Sequence, residues 1–219
     1  MKTRIAPLTL GVLFALCVPS SRAAIELSEY HFNIDSAIVS TGAGLNLAGF
    51  DTSSGLGTIL FSQTGAGVHY FGTFVDHEID KAINGVANEL GFVNGAPAAG
   101  QSWEIGQPGN VSGDFTAGTL GNSNGLFSPS DVSMALAWSF LLGPDESATI
   151  ALQVSQTAPA SGLNLRQFDP DSGVSIYFSS SMSVGPTEAA VPDGGATIGL
   201  LVLGLATVAI PLRSGRRMI

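Results

Sequence analysis

The chain has 219 residues, a formal net charge of −9, 45 % hydrophobic residues and 11 % charged residues. That charged share is well below the roughly one quarter usual for soluble proteins. Six of the eight bases fall in the first 22 and last seven residues, so Ala24 to Ala190 sets Lys81 and Arg166 against 16 acids, a formal charge of −14. With no basic patch to neutralise phosphates, such a surface excludes nucleic acid as a partner.

Lys2 and Arg4 precede an apolar run from Leu8 to Val18, and Ser21-Arg22-Ala23 puts small residues at the −3 and −1 positions. This order predicts a signal peptide over residues 1–23, cleaved after Ala23, with Ala24 the alternative. An uncleaved anchor is disfavoured because the run is short and reaches Pro19. Cys17, the single cysteine, lies inside the run and follows Leu16 rather than the small residue a lipoprotein signal requires. Cleavage therefore leaves no thiol, which excludes disulfides, thiolate metal sites and cysteine nucleophiles together.

Residues 24–187 are long enough for one domain with its own core. Glycine, serine, threonine and asparagine fill the polar positions, and short alternating stretches recur between turn clusters, so the expected fold is all-β: a single β-sandwich with jelly-roll-like connections. His31 and His69 stand in apolar alternation, in Tyr30-His31-Phe32 and Val68-His69-Tyr70, and read as strand histidines. Ala66 to Phe74 reads as a central strand. From Asp76 to Leu90, Ile79, Ile83, Val86, Ala87 and Leu90 follow helical spacing with Gly91 as a stop, so a short helical excursion is expected there.

The densest chemistry in the chain is Asp76-His77-Glu78-Ile79-Asp80. In an extended backbone Asp76, Glu78 and Asp80 share one side, as a hard cation such as calcium requires, and His77 is the fourth candidate ligand. The segment lacks the glycine and distal glutamate of an EF-hand loop. A solvated acidic edge or a helix N-terminus is the leading reading. Farther on, Gly95–Gly100 and Gly106–Gly109 frame Trp103 in loop-like sequence, and Gly113 to Ser130 is rich in Gly, Asn and Ser. Trp103, beside Glu104, is the candidate glycan contact; Tyr70 and Tyr177 are further aromatic candidates. Val132 to Leu142 places Val132, Met134, Leu136, Trp138 and Phe140 on one face and Ser133, Ala135, Ala137 and Ser139 on the other, which makes Trp138 a core residue. With the turn Gly143–Ser147 and the alternating stretch Ala148–Ser155, this segment predicts a hairpin. Val174–Phe178 and Ser181–Val184 read as closing strands.

With three histidines and many serines no hydrolytic triad can be assigned, and no nucleotide-binding glycine pattern or fixed-period repeat occurs, so a hydrolase, a nucleotide site and a solenoid are disfavoured. No cofactor is expected unless calcium occupies the acidic segment.

Residues 188–219 change character. Val191-Pro192-Asp193-Gly194-Gly195 precedes an apolar run over 196–212, and Arg213, Arg216 and Arg217 follow it in the basic tail 213–219. Seventeen residues rise about 26 Å as a helix, near the lower limit for crossing a bilayer core. The arginines resist translocation, so a transmembrane helix with its C-terminus in the cytoplasm and the acidic body outside is expected. The order of motif, apolar run and basic cluster resembles the PEP-CTERM class of bacterial sorting signals, in particular the VPDSG-CTERM variant, with Gly194 where that variant has serine. The resemblance implies export, retention in the inner membrane, recognition by an exosortase-type transpeptidase and delivery to the cell surface or extracellular matrix, in the company of exopolysaccharide and biofilm production. Gly72–Asp80 and Asp131–Trp138 are also similar to uncharacterised β-rich proteins bearing this tag. The resulting expectation is an exported, non-enzymatic surface or matrix protein, with a glycan- or calcium-binding surface module and a periplasmic hydrolase as alternatives.

Overall fold

The computed structural model describes residues 24–187. The expected signal segment with Ala23, the motif 191–195, the apolar run 196–212 and Arg213, Arg216 and Arg217 lie outside the described residues.

Twelve strands form two six-stranded sheets. The first, sheet A, runs in the order β2 (Ala37–Val39), β1 (Ile25–Ile34), β5 (Gly67–Ile79), β9 (Ser133–Leu142), β7 (Gln101–Gly106) and β8 (Ser123–Asn124). The second, sheet B, runs β3 (Leu45–Asp51), β4 (Leu56–Thr64), β10 (Glu146–Ser155), β12 (Ser175–Pro186), β11 (Asn164–Phe168) and β6 (Leu90–Asn94). Only the short β7–β8 pair is parallel. Period-two alternation gives each sheet one apolar face, and both faces feed a single core that joins Phe32, Phe71 and Met134 of sheet A to Phe61, Ile150 and Phe178 of sheet B. Phe61 and Phe71 stack across the gap with ring centroids 4.1 Å apart. A polar tie crosses the same interior: Ser180 Oγ on β12 accepts the indole N–H of Trp138 at 3.0 Å and the amide of Gln101 at 2.9 Å.

The expected all-β texture is present, and Met134, Leu136, Trp138 and Phe140 point inward from β9 as their alternation requires. The expected 132–155 hairpin is not formed. β9 pairs with β5 and β7, whereas β10 pairs with β4 and β12 in the other sheet. Alternation fixes which face of a strand is buried but is silent about its neighbour, and a chain that turns from one sheet to the other keeps both apolar faces on one core.

The helical excursion also differs. Asp76 to Ile79 continue β5, and only Lys81–Asn84 turn as the one-turn helix α1. Pairing of Asp76 with Glu29 and Ser133 outweighs the helical spacing downstream. The longer helix is α2 (Pro108–Ala117), within sequence that reads as loop. Val111 and Phe115, one turn apart, pack on Phe74, Ala135 and Ala137 and so bury the outer face of sheet A. That is why Ala135 and Ala137, expected on the polar side of β9, are fully buried, while Ser139 on the same side is exposed.

Candidate functional site

The strand β5 carries the acidic segment, and strand geometry separates its members. Residues 71, 75 and 79 face the core, so His77 shares their side, fully buried, while Asp76 and Glu78 face outward. The His77 Nε2–H donates to the Gly55 carbonyl at 3.1 Å, Nδ1 has no partner, and burial pushes the pKa down to about 4. Asp80 has a left-handed backbone (φ 55°), and its Oδ1 accepts the Ala24 N–H at 2.7 Å. The expected four-ligand set is therefore not assembled: His77 lies on the opposite face of the strand, and Asp80 is turned to the first described residue.

Asp131, just ahead of β9, joins Asp76 and Glu78 instead. Asp76 and Glu78 are only 6 % and 4 % exposed, and Asp76 Oδ1, Glu78 Oε2 and Asp131 Oδ1 lack hydrogen-bond partners. Burial, then repulsion from Asp131 and Glu78, raises the Asp76 pKa to about 7. Burial and Asp131 likewise raise that of Glu78, against the pull of Lys81, whose ammonium sits 3.3 Å from Glu78 Oε1. The ammonium is the one positive charge beside the three carboxylates among the described residues, and it pairs with Glu78. Among the described residues no group of three or more His, Cys, Asp or Glu side chains has the arrangement to hold a metal ion.

Behind this edge Glu89 is fully buried. It accepts the Ile79 N–H at 2.9 Å and the Gln167 amide, and burial pushes its pKa up to about 8. Gln167 also donates to the His77 carbonyl at 2.7 Å, so the pair ties β11 to the end of β5. Next to it, burial works to raise the Asp169 pKa, but donors from Ser172, Asp171 and Asn84 outweigh it and hold the group below its ordinary value. Both are structural acids, held by backbone, amide and hydroxyl donors.

The other histidines are strand residues as expected. His69 points one ring nitrogen at Asp35 Oδ2 and the other at the Gly65 carbonyl, both at 2.9 Å. Two acceptors favour the doubly protonated ring and raise its pKa, and no hydroxyl is held at either nitrogen. His31 pairs with the exposed Glu29 at 2.7 Å.

Trp103 is a strand residue of β7 rather than a loop residue. It stands opposite Leu136, and its half-buried indole packs against the core, because β7 docks on β9 with Trp103 and Ile105 facing inward. Tyr70 lies beside α2, and Tyr177 lies on the outward face of sheet B.

That outward face has no counterpart among the sequence expectations. Rungs run straight across the strands: Ser62, Thr149 and Ser183 form one; Thr58, Gln153, Ser179, Asn164 and Asn94 another; Ser155, Tyr177, Arg166 and Phe92 a third. Arg166 is the one charge on this face of β4, β10, β12, β11 and β6. Two shallow grooves open on it, of about 190 Å³ beside Gln153 and Ser179 and about 580 Å³ beside Ser62, Thr149 and Ser183. The signal in the sequence was the run Ser179-Ser180-Ser181-Met182-Ser183, whose odd members face out. Which strands would extend it sideways depends on long-range pairing.

No protein-family model matches the chain, and neither the curated proteins nor the solved structures contain a match to it.

Proposed function

We propose that the protein is an exported, non-enzymatic component of the cell surface or extracellular matrix, a jelly-roll-like sandwich that works through its surface. The carrying observation is the outward face of sheet B: five strands dominated by short hydroxyls, amides and aromatic rings, with Leu60 and Ala151 among them and a single charge. Such a face, uncovered by any element among the described residues, suits adhesion or packing in a hydrated matrix. Three of the buried titratable groups support the same reading, since His77, Glu89 and Asp169 are spent on internal hydrogen bonds rather than aimed at a shared cleft. The tail supplies the address: the motif 191–195, the apolar run and the terminal arginines fit recognition by an exosortase-type transpeptidase at the inner membrane, with exopolysaccharide as the surrounding material.

Intact-mass analysis of the native protein tests the processing. Loss of 1–23 and of the segment containing 196–212 is expected; a mature form that keeps the apolar run contradicts transpeptidase processing, and one that keeps the first 23 residues contradicts signal cleavage.

A further inference from the structure

We infer that the outward face of sheet B binds a neutral polysaccharide strand, anchored at its aromatic end by Phe92, Arg166 and Tyr177. This deepens the proposed surface role and rests on it.

Arg166 is immobilised. Its guanidinium carbon lies 4.5 Å from the Phe168 ring centroid, 5.2 Å from that of Phe92 and 5.8 Å from that of Tyr177, and its Nε donates to Ser175 Oγ at 3.0 Å. A guanidinium held by rings keeps a fixed fork of donors at little entropic cost. Phe92 remains 40 % exposed beside it. This pairs an apolar ring surface with fixed polar donors, the combination an amphipathic sugar ring requires.

From this end the polar rungs continue across the sheet. Neighbouring strands are about 4.8 Å apart, so an extended polymer lying along the rung Asn94, Asn164, Ser179, Gln153 and Thr58 passes a hydroxyl or amide at each strand. Ala151 and Leu60, by contrast, make the rung through Ser181 partly apolar. Some of these groups are preset: Thr58 Oγ1 donates to Gln153 Oε1 at 2.7 Å, and Asn94 donates to Asn164 Oδ1 at 3.2 Å. The occupant is neutral because the body is strongly acidic. The formal −14 of residues 24–190, Arg166 included, leaves a field that repels uronate or sulfate polymers. A flat polar face without a long apolar stripe also disfavours a partner protein.

The test is native affinity electrophoresis of the full-length chain in mild non-ionic detergent, through gels containing hydroxyethyl cellulose, galactomannan, dextran or, as the acidic polymer, alginate. Retardation by at least one neutral polymer and not by alginate is expected. Phe92→Ala and Arg166→Gln should each weaken it at least about tenfold. Thr149→Lys and Ser181→Lys, substitutions on the solvent side that leave the core untouched, should abolish it without lowering the melting temperature. Retardation by none of the neutral polymers, stronger retardation by alginate, or retardation indifferent to all four substitutions overturns the inference. Localisation plays no part in this assay, so its failure leaves the export reading standing.

Discussion

Asp76→Asn should make the protein more stable at alkaline pH. The wild-type carboxylate sits among Asp131, Glu78 and Glu29 with one oxygen unpartnered, and its pKa rises from 3.8 to about 7. A folded-state pKa above the unfolded one means the folded protein holds the proton more tightly. The contribution to stability is therefore fully present below about pH 3.8 and lost as pH climbs through 7. Three pH units correspond to about 4 kcal/mol at most; water at the strand edge and relaxation reduce this to roughly 2–3 kcal/mol in practice. The amide removes the charge and keeps the shape. For a chain of this size that is about 5–10 °C in Tm. Thermal melts of both proteins from pH 4 to pH 9, followed by circular dichroism, should show curves that nearly coincide at pH 4, diverge between pH 4 and pH 7 and stay apart above it, the variant melting higher. A variant that melts lower at pH 8.5, or a difference that does not change with pH, refutes the account of this cluster.

Three further outcomes follow from the same geometry. Ser180→Ala removes the acceptor shared by Trp138 and Gln101 and should cost about 1–3 kcal/mol in chemical denaturation, because both donors remain buried. Gly55→Ala should destabilise more severely or prevent folding: the residue has φ +68°, and an added Cβ would lie 2.2 Å from His77 Nε2, which a melt or loss of soluble yield would reveal. Millimolar calcium should leave the wild-type Tm unchanged, since His77 and Asp80 are directed away from Asp76 and Glu78 and the Lys81 ammonium already pairs with Glu78; a rise of several degrees, lost in Asp76→Asn, would restore the cation site.

Strand faces were legible in the sequence because alternation is a local property: Met134, Leu136, Trp138 and Phe140 point inward as their spacing requires. Partners were not, because pairing is set by distant residues, and so β9 and β10 turn from sheet to sheet where a hairpin reads equally well. The acidic segment shows the same limit. Its alternation was visible, but the arrival of Asp131 beside Asp76, the burial of His77 beneath Gly55 and the extension of β5 through Ile79 depend on contacts far along the chain. Helix α2 had a signal in Pro108 at its first turn, Gly118 at its end and the Val111–Phe115 spacing, obscured by two internal glycines. The polar face of sheet B was legible only in part, since each rung gathers residues from up to five strands.

The central claim is the orientation of the chain, an acidic body outside and a basic tail inside. Cleavage after Ala23 would leave a cysteine-free chain, so single cysteines placed at Ser128, exposed in the body, and at Ser214, in the basic tail, can be tagged one at a time with a membrane-impermeant maleimide in spheroplasts of a host that lacks an exosortase and so keeps the tail attached. The account predicts that Ser128→Cys reacts in intact spheroplasts and Ser214→Cys only after lysis; the reverse pattern, or protection of Ser128→Cys until lysis, would contradict it.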